Sequence, residues 1–367
     1  MKIGVLTSSR ADYGIYLPLL DRIKKDEFFE LEIIAFGTHL SRSHGYTLNN
    51  IKKDTYNCIH TISCLISNDN EESIASSYGL TVLKFADFWQ IHKYDLVFCL
   101  GDRFEMSAAV QTGIPFGVKF AHLHGGETTL GAIDNIYRHQ ISLASTLHFT
   151  ATDIFTEKVS TLLDSSHNIF TTGSLSLNDI KSFIPLEKQT FFKKFEIKEE
   201  EFILVTFHPE TMSSQDNFQY AEEMKKALKK ISKDRFVIIT MPNADTQGSI
   251  YREAIEKLKL ELPDRILLIE NFGKENYFSA MYYAAILLGN TSSGILEAAS
   301  FGKYVVNVGD RQKGRAQSKN VINCEFEEKA IVVSVKKAFE AKVYTGENIY
   351  FKFDAADNII KVIKEFS

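Results

Sequence analysis

A handful of short polar stretches in this chain hold the residue types that acid–base and phosphate chemistry require. The densest is His122-Leu123-His124-Gly125-Gly126-Glu127, followed by Asp134-Asn135-Ile136-Tyr137-Arg138-His139. The paired glycines beside His124 and Glu127 leave room for a substrate against the backbone. Imidazole and carboxylate are the usual proton carriers near neutral pH. Asp134 and Arg138, four apart, share one face of a helix, and an ordinary i,i+4 ion pair is the plainer reading. His122, His124 and Glu127 also raise a metal site. Their spacing lacks the rigid helical register of His-Glu-x-x-His, and no metal is expected. Gly101-Asp102-Arg103-Phe104-Glu105 supplies another carboxylate. Asp102 with Glu105 three residues on reads as an acidic capping box, which would also pre-position the acid at a helix start.

The remaining stretches suit an anion. In Ser9-Arg10-Ala11-Asp12, Arg10 can pair bidentately with a diphosphate or locally with Asp12. In Leu288-Gly289-Asn290-Thr291-Ser292-Ser293-Gly294 an apolar strand ends and a helix opens. Unpaired N–H groups and a positive dipole end there make a phosphate site, with Ser292 and Ser293 adding hydroxyls. Gly294 would let a diphosphate approach the backbone. Glu297 would repel a phosphate and fits ribose hydroxyls one step away. His208, stopped by Pro209, stands at a strand end, and Asn271-Phe272-Gly273 could offer backbone and a ring to a base. Gly309-Asp310-Arg311-Gln312-Lys313-Gly314-Arg315 is either a solvated basic loop or part of an anion clamp.

These stretches share one trait: each follows a short β-branched or apolar run. Lys2–Thr7, Leu31–Phe36, Asp95–Leu100, Gly117–Leu123, Leu147–Thr150 and Ile169–Thr172 read as strands, with helical patterns such as 16–25 and 104–111 between. After a polar, Lys- and Phe-rich segment at 181–200 the alternation restarts with Phe202–Phe207, Phe236–Thr240, Ile266–Ile269, Ala284–Leu288 and Tyr304–Val308. Helices are expected near 221–230, 251–260, 278–284 and 295–301. Ala355–Phe366 has apolar residues at helical spacing. Two α/β units with parallel sheets follow, with ligands at the carboxyl ends of the strands.

Composition sets the class. With 367 residues, 44% hydrophobic and 24% charged, the chain is an ordinary globular protein long enough for two domains. A formal charge of −5 argues against nucleic acid. The scattered cysteines 58, 64, 99 and 324 include no pair at zinc-ligand spacing and suit a cytoplasmic, reducing compartment. Neither a signal segment nor a membrane span is expected. Gly-x-Gly-x-x-Gly is missing after the first strand, which counts against NAD.

Read in order, the motifs resemble the UDP-N-acetylglucosamine 2-epimerase family, specifically its hydrolysing branch from bacterial sialic-acid and nonulosonate pathways. They are Ser9-Arg10-Ala11-Asp12-Tyr13, Gly101 to Glu105, His124-Gly125-Gly126-Glu127, Ile133-Asp134 with Arg138-His139, His208-Pro209, Gly289 to Gly294 with Glu297, and Gly309 to Gln312. The resemblance implies a GT-B-like α/β architecture: two Rossmann-type doubly wound domains, 1–177 and 178–354, facing a central cleft. The closing helix 355–367 would pack back on the first domain.

It also implies roles. Ser292, Ser293 and Arg10 would hold the diphosphate, Glu297 the ribose, Phe272 the uracil side and Arg311 the phosphates; Asp12, Arg103 and Gly294 would join them in binding the UDP-sugar. Asp102, Glu127, Asp134, Arg138, His208 and His124 fall at active-site positions, with Asp102 and Glu127 as the proton-transfer pair and Asp134 orienting or sharing that duty. Some members carry glutamate where this chain has His124, which leaves open which residue does the proton chemistry nearest the sugar. The implied reaction is anti elimination of UDP to 2-acetamidoglucal, followed by hydration to N-acetylmannosamine, with no cofactor. Alternatives are the same chemistry on a diacetamido trideoxy sugar nucleotide, a non-hydrolysing epimerase, a GT-B glycosyltransferase or a non-catalytic UDP-sugar sensor. A homodimer or homotetramer is expected.

Overall fold

The structure, a computed structural model, describes residues 1–42, 45–66, 70–128, 133–210, 216–242 and 248–366. The chain forms two compact units. One holds Met1–Glu127, Ile133–Lys181 and the chain from Tyr350 on; the other holds Ser182–Ile349. These limits lie a few residues from the expected 177 and 354. The reason is local bonding: Ser174 N–H donates to the Tyr350 carbonyl at 2.8 Å and Ala356 N–H to Asn178 Oδ1 at 2.8 Å.

The first unit is built on β1 (Lys2–Thr7), β2 (Glu30–Phe36), β3 (Cys58–Ile62), β4 (Leu96–Leu100), β5 (Phe120–Leu123), β6 (Leu147–Thr150) and β7 (Ile169–Thr171). They pair in parallel in the order β3-β2-β1-β4-β5-β6-β7. Successive side chains of a strand point to opposite faces, and both faces here are apolar. Ile3, Val5, Ile33 and Phe98 pack on one side with the helices Arg10–Lys25 and Ala355–Phe366. Leu6, Ile34, Phe36, Val97 and Cys99 pack on the other with Phe85 and Trp89 of the helix Glu71–Ile91.

The second unit carries β8 (Phe202–Thr206), β9 (Phe236–Thr240), β10 (Ile266–Ile269), β11 (Ile286–Gly289), β12 (Val305–Val308) and β13 (Val321–Cys324), in the order β10-β9-β8-β11-β12-β13 and again parallel. The Lys- and Phe-rich segment is more than a connector. Its helix Lys188–Lys194 puts Phe191 and Phe192 into the core beside Phe202 and Phe236.

The structure differs from the sequence reading in several places. The edge strands β3 and β13 and the helices Glu71–Ile91 and Glu328–Glu340 were not anticipated. The capping box at 102–105 does not form: Arg103 is the N-cap of the helix Phe104–Gly113 and makes no side-chain cap bond. The helix expected at 295–301 is a short Ser292–Leu296 turn of α-helix followed by a 3-10 turn, Ala298–Phe301.

Candidate active site

Each sheet reverses its strand order once, between β1 and β4 in the first unit and between β8 and β11 in the second. Ligands of doubly wound folds bind outside the carboxyl ends of strands at such points. The loops leaving β1, β4 and β5 carry Arg10, Asp102 and His124–Glu127. Those leaving β8, β11 and β12 carry His208, Asn290–Ser293 and Arg311.

In the first unit the proton-bearing groups gather around one cation. Arg138, on the helix Asp134–Ala144, is only 2% exposed. It does not form the i,i+4 pair with Asp134. Its Nη2 donates to Asp102 Oδ2, and its Nη1 lies 3.6 Å from Glu127 Oε2. Nε and Nη1 make no hydrogen bond among the described residues, so a buried guanidinium retains donors for a ligand oxygen. Glu127 Oε1 is hydrogen-bonded at 2.6 Å to Nδ1 of His124, whose backbone sits at a φ of 65°. A left-handed turn is uncommon for a non-glycine residue, and histidine is among those that adopt it more readily.

Asp134 makes no ion pair among the described residues. Burial, with the charge of Asp102, pushes its carboxyl up to about 6. His122, the other histidine of the motif, is fully buried and bonded to Ser142 Oγ and the Gly101 carbonyl, both at 2.9 Å. Burial lowers it to about 3, so it is a neutral strut that ties the Asp102 loop to the helix carrying Arg138. It is not a ligand beside His124.

The β1 loop separates its two candidates. Arg10 is exposed, with no ion pair among the described residues. The Asp12 carboxylate faces inward and accepts from Thr7 Oγ1, Ser8 N–H and Ser8 Oγ at 2.6, 2.8 and 2.9 Å. It also completes the capping box with Ser9. It therefore shapes the loop that presents Arg10 rather than meeting a ligand. Arg103 donates through Nε to the buried Glu105 Oε1 at 2.6 Å, leaving the far side of its fork.

In the second unit Asn290, fully buried, is the residue the sequence reading passed over. Its amide bridges to His208 in both directions, accepting from the His208 N–H at 2.8 Å and donating to its carbonyl at 2.9 Å. The Asn290 carbonyl accepts from Arg311 Nη1 at 3.1 Å and Gln312 Nε2 at 3.0 Å. One amide thus registers the β8, β11 and β12 loops. Gly289 permits this, since a Cβ there would lie 1.8 Å from the Thr206 carbonyl oxygen.

Burial and the Arg311 charge hold His208 down to about 4, so it is neutral at pH 7 and offers a hydrogen bond rather than a charge. Ser292 keeps its hydroxyl free among the described residues, while Ser293 Oγ meets Tyr277 Oη at 2.9 Å. Glu297 ends the short helix, nearly buried.

Two residues take other parts than expected. Phe272 is 4% exposed and packed on Phe191 and Phe195, so its ring is not open to a base. A Cβ at Gly294 would touch Val305 Cγ1 at 3.0 Å, so this glycine serves close packing of helix on strand.

Glu210 also escaped notice. It is buried, and its Oε1 accepts from the Asp310 and Arg311 N–H groups at 2.7 and 3.2 Å. It holds the loop from which Arg311 reaches Asn290. Glu210→Ala should raise KM about tenfold with a smaller change in kcat, since two charge-assisted bonds fix that loop. Steady-state kinetics of the alanine and glutamine variants check this; an unchanged KM in both would remove Glu210 from the positioning of Arg311.

Two Rossmann-type parallel sheets, each with a polar cluster at its switch point, define a GT-B-like α/β protein. The chain belongs to the UDP-N-acetylglucosamine 2-epimerase family, whose sequence profile matches residues 21–364. It is 31% identical to polysialic acid biosynthesis protein P7 of Escherichia coli, over 100% of this chain and 94% of that one. It is 35% identical to the hydrolysing GDP/UDP-N,N'-diacetylbacillosamine 2-epimerase of Campylobacter jejuni, over 89% and 84%. Its fold matches UDP-GlcNAc 2-epimerase from Neisseria meningitidis bound to UDP-GlcNAc, with a TM-score of 0.81, 16% identity and full coverage of both chains.

Proposed function

We propose that this enzyme is a hydrolysing 2-epimerase that converts UDP-N-acetylglucosamine and water to N-acetylmannosamine and UDP in sialic-acid-type biosynthesis. The observation that carries the reading is a buried arginine paired with two carboxylates, Asp102 and Glu127, beside Asp134, whose carboxyl is raised to about 6. The C2 proton of the sugar is not acidic in the ground state. Cationic character at C1, as the C1–O bond to UDP breaks, makes it removable.

Asp134 takes that proton as the C1–O electron pair leaves with UDP, and a C1=C2 double bond forms. Arg138 pairs with Asp102 and Glu127 and fixes their oxygens near the developing positive charge. The His124–Glu127 pair delivers a proton to C2 from the opposite face while the hydroxyl of a water adds at C1; the proton that water sheds recharges the pair, and Asp134 gives the first proton up to solvent. In the second unit Ser292, Ser293, Arg311 and neutral His208 receive the departing diphosphate, Glu297 the ribose. No cofactor enters this scheme. The four cysteines are free thiols, which suits a cytoplasmic enzyme.

The identity to the Campylobacter relative favours a second substrate, UDP-N,N'-diacetylbacillosamine, by the same steps. Incubation with UDP-N-acetylglucosamine in D2O, followed by proton NMR, separates the readings. Free N-acetylmannosamine deuterated at C2, with UDP, is expected. UDP-N-acetylmannosamine would make the enzyme non-hydrolysing. Turnover of the diacetamido sugar alone would keep the mechanism and change the substrate, and inertness toward both would overturn the proposal.

A further inference from the structure

The amino ends of the strands in the first sheet carry a polar cluster that the epimerase chemistry does not use. Glu32 is the third residue of β2 and Cys58 the first of β3, and the register makes them Cα partners. His60, two residues along β3, shares the face of Cys58. Its Nε2 lies 2.9 Å from Glu32 Oε2 and 3.3 Å from Cys58 Sγ. The ligand atoms of all three lie within 4.8 Å of one another. Glu32 is buried and held in place: Lys2 Nζ sits 2.8 Å from Oε1, and Tyr94 Oη donates to Oε2 at 2.6 Å. The His92 ring lies 4.4 Å from that of His60.

We propose that Glu32, Cys58 and His60 form a binding site for a borderline divalent cation of the zinc class, with water in the fourth position. A thiolate, an imidazole and a carboxylate on one face select zinc or cobalt over magnesium or calcium. Tetrahedral zinc, with bonds of about 2.0–2.3 Å, separates nitrogen from oxygen by about 3.3 Å and nitrogen from sulfur by about 3.6 Å. The observed separations are a few tenths of an ångström shorter, so small side-chain rotations open the site. Lys2 and Tyr94 act as the outer hydrogen-bond partners that orient a ligating carboxylate.

On loading, His60 ligates through Nε2 with its proton on Nδ1, and the Cys58 thiol releases its proton to solvent. The new thiolate and Glu32 together balance the cation, while Lys2 remains on the second oxygen. The site bridges two adjacent strands at the ends opposite the candidate active-site loops, so its effect falls on stability rather than on chemistry. Ligands drawn from two strands leave no Cys-x-x-Cys spacing, which is why the sequence gives no sign of it.

Titration of the full-length protein with Co2+ under a non-thiol reductant tests this. A thiolate-to-cobalt charge-transfer band saturating at one equivalent, displaced by Zn2+, is expected, together with a higher Tm in Zn2+. Cys58→Ser should lose the band with unchanged circular dichroism. His60→Asn should weaken cobalt binding at least about tenfold. No thiolate band at one equivalent, the same band in Cys58→Ser, or a band lost only in Cys324→Ser would overturn the proposal. If Cys58→Ser does not fold, unchanged cobalt affinity in His60→Asn overturns it alone.

Discussion

Arg138→Ala should lower kcat by at least about a hundredfold and destabilise the protein by about 3–5 kcal/mol. The guanidinium is buried between Asp102 and Glu127, so its loss leaves two carboxylates without their cation. Without it the Glu127 carboxylate loses the cation beside its second oxygen. Glu127 then no longer holds the same hydrogen bond with His124, and proton transfer to C2 is misaligned. Arg138→Lys separates the two contributions. It keeps the charge but loses the planar fork, so stability should recover more than turnover does. UDP release and urea unfolding read the two effects. Near-normal kcat in the alanine variant would remove the arginine from the mechanism and leave it a structural ion.

Much of this arrangement is legible in the sequence because parallel strands buried on both faces announce themselves as apolar runs. β4, Leu96–Leu100, is such a run, and the polar residues just beyond it must lie at the sheet edge. The strands that were missed, β3 and β13, are two of the four edge strands. β3, Cys-Ile-His-Thr-Ile, and β13, Val-Ile-Asn-Cys, carry polar residues because only one neighbour covers them. Pair identity is harder. Asp134 and Arg138 are spaced for a helical pair, yet Arg138 is claimed by two acids from the β4 and β5 loops, and long-range electrostatics outweighs an exposed i,i+4 contact.

Asn290 and Glu210 were invisible as struts, because their bonds run to backbone groups 82 and 100 residues away. Phe272 shows the reverse failure. A ring beside a glycine in a loop suggested base stacking, but the Phe-rich segment at 181–200 had already enclosed it in the core.

The largest pH effect should come from Asp134. As the base at C2 it must be ionised, so kcat/KM should rise with pH through about 6, the position to which burial and Asp102 push this carboxyl. Asp134→Asn should lower kcat by about two to four orders of magnitude and abolish that limb. A residual rate that keeps the same limb would assign it to another group and sink the role. Stability should move the other way. The folded-state pKa is raised, so the carboxylate of the unfolded chain ionises first, and stability falls as pH rises from the ordinary aspartate value of about 4 to about 6. Above that window the cost is constant, and Asn at 134 removes it. Asp134→Asn should therefore melt higher than wild type above pH 6 and show no gain below pH 4. A residue whose neutralisation stabilises the fold while removing turnover is held charged at the expense of the fold, as a catalytic base must be.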